Sequence, residues 1–456
     1  MTQQGVRWTA DQVLALAPDA ASRKAGSKLG TAGPWSEAGS REEGAVWGLC
    51  KGSGSKPYQT VVDLADAAGP AYKCSCPSRK FPCKHALGLL LLWASEDGVV
   101  PTVAEPPDWA GQWLSGRRRR TEDKKTAGEG RSATGAADPE AARRRAERRE
   151  GRVTAGATEL EQRLADLLRG GLASAEQAGY ALWEETAARM VDAQAPGLAA
   201  RVRELGAIPA SGPGWPARLL EECALLHLLD QGWLHRGRLP GPLAATVRSR
   251  LGFHATADGP PVRDRWLVLA QYDTVDPKLT TRRVWLHGTE SGLTRLLLAY
   301  GAAGRAPELS LPVGLALDAD LSLFPGFSAG GPRAALGERH APPAPAANRP
   351  PGLTTAQAAT RYGEALREDP WLDSVPVTLD AVIPVPGEAP GSWQLADAAA
   401  DSALPLTAAA RTRPGLWRLV ALSGGTPVKV FGECGHRGFT PLTAWPAETG
   451  APVTLC

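Results

Sequence analysis

Four residues in one short window, Cys74, Cys76, Cys83 and His85, constrain this chain more than any other feature. They come as Cys-x-Cys, a gap of six residues, then Cys-x-His. Thiolate and imidazole are the donors a tetrahedral zinc ion prefers, and three thiolates with one imidazole close a structural site as readily as two of each. On an extended segment, residues i and i+2 face the same way, so Cys74 and Cys76 can both point at one ion from the end of a strand. Pro77 stops further pairing, residues 78–82 reverse the chain, and Cys83 with His85 arrives at the start of an apolar run over 86–93. That run is too short to span a membrane and reads as a buried helix. Thioredoxin-type chemistry would ask for Cys-x-x-Cys, which is absent. Lys73, Arg79, Lys80 and Lys84 surround the ligands. They offset the charge of about −1 that three thiolates leave on a dication, and they favour the thiolate form. The same four cations suit a polyanion.

At these residues the chain resembles the SWIM-type zinc finger, whose pattern is Cys-x-Cys, a variable gap, then Cys-x-His; the four ligand positions match without departure. The resemblance implies a short β-hairpin carrying Cys-x-Cys packed on a helix carrying Cys-x-His, one structural Zn²⁺, and, more loosely, DNA or protein binding. Over its whole length the chain looks like bacterial SWIM zinc finger proteins of this size, of the kind encoded beside MoxR-type AAA+ ATPases and von Willebrand A-domain proteins. Partners from those two classes are what that wider resemblance implies. The stretch Phe431-Gly432-Glu433, followed by Phe439-x-Pro441-Leu442-x-Ala444-Trp445, resembles the close of the same family.

At 456 residues the chain exceeds a single core. Its pattern predicts an α+β multidomain protein. Residues 1–104 read as an N-terminal domain, with short helices over 10–17 and 19–29, strands over 45–50, 58–64 and 71–74, and the finger at about 58–95. Residues 105–157 turn to Pro, Gly, Arg and Lys and read as a basic, largely disordered linker. Thirteen basic against seven acidic residues over 117–152, with Arg117, Arg118, Arg119 and Arg120 in a row, concentrate the basic character there, whereas residues 1–116 balance eleven against eleven. Within that linker Asp138-Pro139 opens a helix on which Arg145, Arg148, Arg149 and Arg152 form one stripe.

Residues 158–251 read as a helical domain, with capping boxes at 158–161 and 174–177 and an apolar stripe of Leu160, Leu164, Leu167 and Leu168. A β-meander follows over 262–341, with strands at 266–272, 282–286, 293–300 and 315–323; 342–353 is a Pro/Ala linker. The C-terminal β-rich domain, 354–456, has a helix over 355–367 and strands over 416–422, 427–431 and 439–445. An odd count of seven cysteines and the lack of a signal-peptide-like leader predict a reducing, cytoplasmic location with no disulfide scaffold and no membrane partner.

Other pairings of ligand-type residues read as structural. Cys223 and His227, at i and i+4, lie in a leucine-rich helix; Asp318-x-Asp320 fits a strand turn better than Mg²⁺; Cys434-x-His436 has no partner pair. Cys50 reads as a small buried hydrophobe. The chain has no His-Glu-x-x-His, nucleophile elbow, dinucleotide fingerprint or P-loop, and a zinc held by four protein ligands leaves no position for catalytic water. The expectation is a zinc-binding, non-enzymatic adaptor for nucleic acid and/or protein. Lys73, Arg79, Lys80, Lys84, Arg145, Arg148, Arg149 and Arg152 are its expected, sequence-tolerant nucleic-acid contacts. The alternative is a purely protein-binding adaptor of a MoxR and von Willebrand A-type assembly.

Overall fold

Neighbouring apolar residues in the N-terminal strands must face opposite ways, so a sheet built from them needs cover on both sides. The computed structural model describes residues 8–14, 16–17, 20–41, 44–52, 56–64, 70–78, 82–95, 99–130, 139–257, 259–276, 279–302, 307, 309–326, 333–346, 349–399, 401–446 and 451–456. After two short helices, α1 (Ala10–Leu14) and α2 (Ala20–Ser27), strands β1 (Trp35–Ser40), β2 (Ala45–Cys50), β3 (Tyr58–Asp63) and β4 (Ala71–Cys74) form an antiparallel sheet in chain order. Val46 lies opposite Val62 on one face, and Trp47 opposite Val61 on the other. The first face packs on α3 (Lys84–Ala94) with α1, through Val13, Leu87 and Leu90. The second packs on the start of α4 (Asp108–Gly130), through Ala110 and Leu114.

That second face corrects the reading of 105–157 as largely disordered. α4 occupies its first part, and α5 (Pro139–Gly170) begins at the predicted Pro139 and runs on through residue 158. Thr158 caps nothing: its hydroxyl donates back to the Thr154 carbonyl inside α5, at 2.9 Å. The second expected capping box fails too, because α6 (Ala173–Asp192) starts with Leu172 at its N-cap and no side-chain capping bond. α5 and α6 pack with α7 (Pro196–Leu205), α8 (Trp215–Leu234) and α9 (Gly241–Arg250) around Leu160, Met190, Leu198, Leu226 and Trp233.

The next unit closes on itself. β5 (Val262–Val275), β6 (Leu279–Gly288) and β7 (Thr294–Ala302) form the expected meander, but β8 (Leu315–Leu323) pairs back onto β5. β9 (Arg333–Arg339) then joins β7 in parallel and β8 antiparallel. The ring β5-β6-β7-β9-β8 is a five-stranded barrel around Trp266, Val284, Leu317 and Leu321, and it shares the strand order of the Greek-key OB barrel. The expected 342–353 linker lies along neighbouring strands: β10 (Ala344–Pro345) pairs with β8, and Leu353 bridges to Leu379.

The C-terminal unit begins with α10 (Thr355–Glu368), opened by a reciprocal capping box between Thr354 and Gln357. Its sheet has β11 (Ser374–Pro386) between β12 (Trp393–Asp397) and β14 (Val428–Gly435), with β13 (Ala403–Pro405) beyond β12, and β15 (Gly438–Trp445) and β16 (Val453–Thr454) beyond β14. Between β13 and β14 lie α11 (Ala408–Thr412) and α12 (Gly415–Ser423). α12 replaces the strand expected over 416–422, because Leu416 and Leu419 recur at helical spacing and pack with Ala358 of α10 in the core on that side of the sheet.

Candidate metal centre

The finger is assembled from the end of β4 and the start of α3. Cys74 is the last residue of β4, opposite Thr60, and Cys76 follows two positions on. Ser75 pins the exit from the strand: its N–H donates to the Gln59 carbonyl and its hydroxyl accepts from the Gln59 N–H, each at 3.0 Å. Cys83 is the N-cap of α3, in extended backbone (φ −74°, ψ 167°). His85 is buried in the first turn, its ring 4.7 Å from that of Tyr58. The three sulfurs and a ring nitrogen of His85 all lie within 4.8 Å of one another, with Cys74 Sγ 3.6 Å from His85 Nδ1. Donors so gathered fit a tetrahedral zinc ion with bonds of about 2.0–2.3 Å.

The electrostatics favour a cation there. Backbone N–H groups of Cys76, Ser78 and Ala86 point at the sulfurs of Cys74, Cys76 and Cys83, each favouring the thiolate. Cys74 is held well below the usual thiol range, first by the Cys83 thiol that donates to it and then by His85 and Thr60. Cys83 is pushed up, because it gives that bond and is buried. One sulfur thus carries the charge while its neighbour keeps the proton, and a dication takes the proton's place. Cys50, wholly buried in β2, has its thiol raised by burial and then by the charge of Cys74, which suits an inert core residue.

The expected cations around the finger divide. Lys73 and Lys84 are exposed, whereas Arg79 and Lys80 lie outside the described residues. α3 buries His85, Ala86, Leu87, Gly88, Leu89, Leu90 and Leu92, so this helix is core and offers no polar array to a groove.

The predicted arginine stripe lies on α5, away from the finger. Arg145, Arg148 and Arg152 are exposed and Arg149 is half-buried. Together with Arg248, Gln194 and Phe253 they line an open concavity of about 500 Å³. The last three come from α9, the end of α6 and the turn after α9, so only folding brings them to the stripe.

The remaining ligand-type pairs are separated or satisfied. Cys223 is buried in the bundle while His227 bonds Glu161 at 2.7 Å. Asp318 is held by Arg263 at 2.9 Å and Asp320 by His340 at 3.1 Å. Cys434 is buried, and His436 Nδ1 meets the Tyr362 hydroxyl at 3.1 Å. Among the described residues, the finger is the only such cluster within metal-binding reach, and no helix is long and apolar enough to cross a membrane.

A hairpin-and-helix unit with a closed set of three cysteines and one histidine defines the class, a small structural zinc finger. Comparison with family models agrees with it. The SWIM zinc finger matches residues 58–94, and the SWIM-associated four-helix bundle domain matches residues 148–251. The chain is a SWIM-type zinc finger protein. Its bundle accordingly begins inside the stretch that composition assigns to the linker. No curated protein and no solved structure matches the chain.

Proposed function

We propose that the protein is a non-enzymatic adaptor, in which the zinc finger is a folded binding module that contacts nucleic acid through backbone phosphates. The observation that carries this is the finger's construction. Four protein ligands saturate the metal, α3 is spent on the core, and among the described residues Lys73 and Lys84 carry positive charge into solvent beside the site. Such a surface binds phosphate by charge and reads no bases. A protein-only reading, with partners of the MoxR and von Willebrand A classes, draws support from the even balance of charge over residues 1–116.

The test is anisotropy of a labelled single-stranded oligonucleotide across a salt series, with wild type and Lys73→Glu/Lys84→Glu. Binding to all sequences alike is expected, with a log–log slope that is shallower in the variant by about 0.7 for each phosphate it no longer neutralises. Absence of binding at low salt removes the nucleic-acid reading. Affinity purification from the native cell, with and without nuclease, then identifies protein partners directly.

A further inference from the structure

The arginine stripe on α5 forms one wall of a built site. Its charge is left largely unneutralised: Arg149 donates to the carbonyl oxygens of Gly252 and Gln194, at 3.0 and 3.4 Å, and Arg152 donates to Gln194 Oε1 at 2.8 Å. These acceptors are neutral. Arg145 and Arg148 are exposed and have no hydrogen-bond or ion-pair partner among the described residues. The two nearest carboxylates on α5 are engaged, Glu147 by Arg143 at 2.9 Å, and Glu150 by Arg248 and Arg236 at 2.6 and 3.3 Å.

The wall is also held in place before any ligand arrives. Phe253 stacks on Trp233, ring centroids 5.1 Å apart, and the guanidinium carbons of Arg149 and Arg248 stand 4.2 and 4.5 Å from the Phe253 ring centre. Cation–π contacts of this kind reduce the side-chain freedom that binding would otherwise remove. Gln194 has φ +60°, a left-handed conformation that glycine would adopt without strain. The strained glutamine supplies what glycine lacks, the amide oxygen that fixes Arg152.

We propose that this concavity binds phosphoryl groups carried in series, as they are in a nucleic-acid backbone or a free oligophosphate. Guanidinium groups match phosphate oxygens two at a time. From Arg145 to Arg152 the helix advances about 10 Å, enough to meet two or three linked phosphoryl groups but more than one phosphate needs. The proposal deepens the polyanion-binding reading and rests on it for its nucleic-acid source alone.

The full-length protein is titrated with inorganic tripolyphosphate by calorimetry and with a labelled single-stranded oligonucleotide by anisotropy. Arg145→Glu/Arg148→Glu is the test variant, since neither residue has a partner whose loss would disturb the fold. Arg143→Glu/Arg144→Glu is the control; it makes the same change of charge nearby, at residues engaged with Glu147 and Glu140. Thermal melts and zinc content check all three proteins. We expect at least one probe to lose tenfold or more in affinity with the test variant and less than threefold with the control.

Loss for tripolyphosphate with no oligonucleotide binding sustains the site and removes the nucleic-acid reading. Loss for the oligonucleotide sustains the site with nucleic acid as the source. If neither probe binds, if the test variant binds both as wild type does, or if the control loses as much, the site is overturned. Where an oligonucleotide is still released by Lys73→Glu/Lys84→Glu, the finger reading survives that outcome.

Discussion

Asp230 is wholly buried in α8, and burial, reinforced by the nearby Glu161 carboxylate, pushes its pKa up to about 9. Glu161 itself is held by His227 and Gln231, so the added proton belongs on Asp230. The folded chain therefore keeps a proton that an unfolded aspartate, with its ordinary pKa of 3.8, releases. Stability from this group is greatest below about pH 4 and is lost as pH rises towards 9, with a limiting slope of about 1.4 kcal/mol per pH unit. Asp230→Asn removes the titrating group. Thermal melts between pH 5 and 9 should show a higher midpoint for the variant at pH 8 and a flatter pH dependence throughout. Equal slopes in the two proteins would rule out Asp230 as the source.

At the scale of elements, the finger was legible because its chemistry is local: four donors at fixed spacing, a proline, then an apolar run are enough to place β4, the turn and α3. Elements that depend on distant partners were not. Only Trp109, Ala110, Trp113 and Leu114 make the start of α4 apolar, too few to announce a helix, and it is the second face of the N-terminal sheet that gives them a place. β11 was hidden by Pro376, Pro384 and Pro386. Residues 374–379 pair with β14 and 382–386 with β12, the two ladders overlapping only at Val382, so each proline lies where one side of the strand has no strand partner. The arginine stripe was legible as a helix face, but its concavity was not, since Gln194 and Phe253 are far from it in sequence. These differences bear on the finger's stability. With both faces of the sheet covered, loss of metal should release the β4 to α3 connection more than the sheet itself. Cys76→Ser should reduce zinc from one per chain to near zero. Hydrogen exchange should show protection falling over 70–95 while it persists over 148–251. Retention of full zinc stoichiometry would sink the four-ligand assignment.

At the scale of the molecule, the units meet through buried seams. Trp371, ahead of β11, enters the bundle core and donates its indole N–H to the Leu225 carbonyl at 2.9 Å, while Arg250 pairs with Asp369 at 2.6 Å. The outer face of the barrel, Leu267, Leu269, Trp285 and Leu296, packs on Phe431, Leu442 and Trp445 of the C-terminal sheet. OB barrels use much of that face for oligonucleotides; here the C-terminal sheet occupies it. The Phe-Gly-Glu and Pro-Leu-x-Ala-Trp stretches near the end of the chain have their physical explanation in this seam. At its edge, one oxygen of Glu433 accepts from the Tyr272 hydroxyl at 2.8 Å and from the Trp285 indole N–H at 3.0 Å. Glu433→Ala leaves the half-buried Tyr272 hydroxyl and the buried Trp285 indole N–H without that acceptor, a loss of about 1–3 kcal/mol for each that water cannot reach. Glu433→Gln keeps a carbonyl oxygen and should lose clearly less. Denaturant unfolding of the three proteins should place the variants in the order wild type, glutamine, alanine. If alanine proves as stable as wild type, Glu433 does not hold the barrel to the sheet, and the seam rests on its apolar contacts alone.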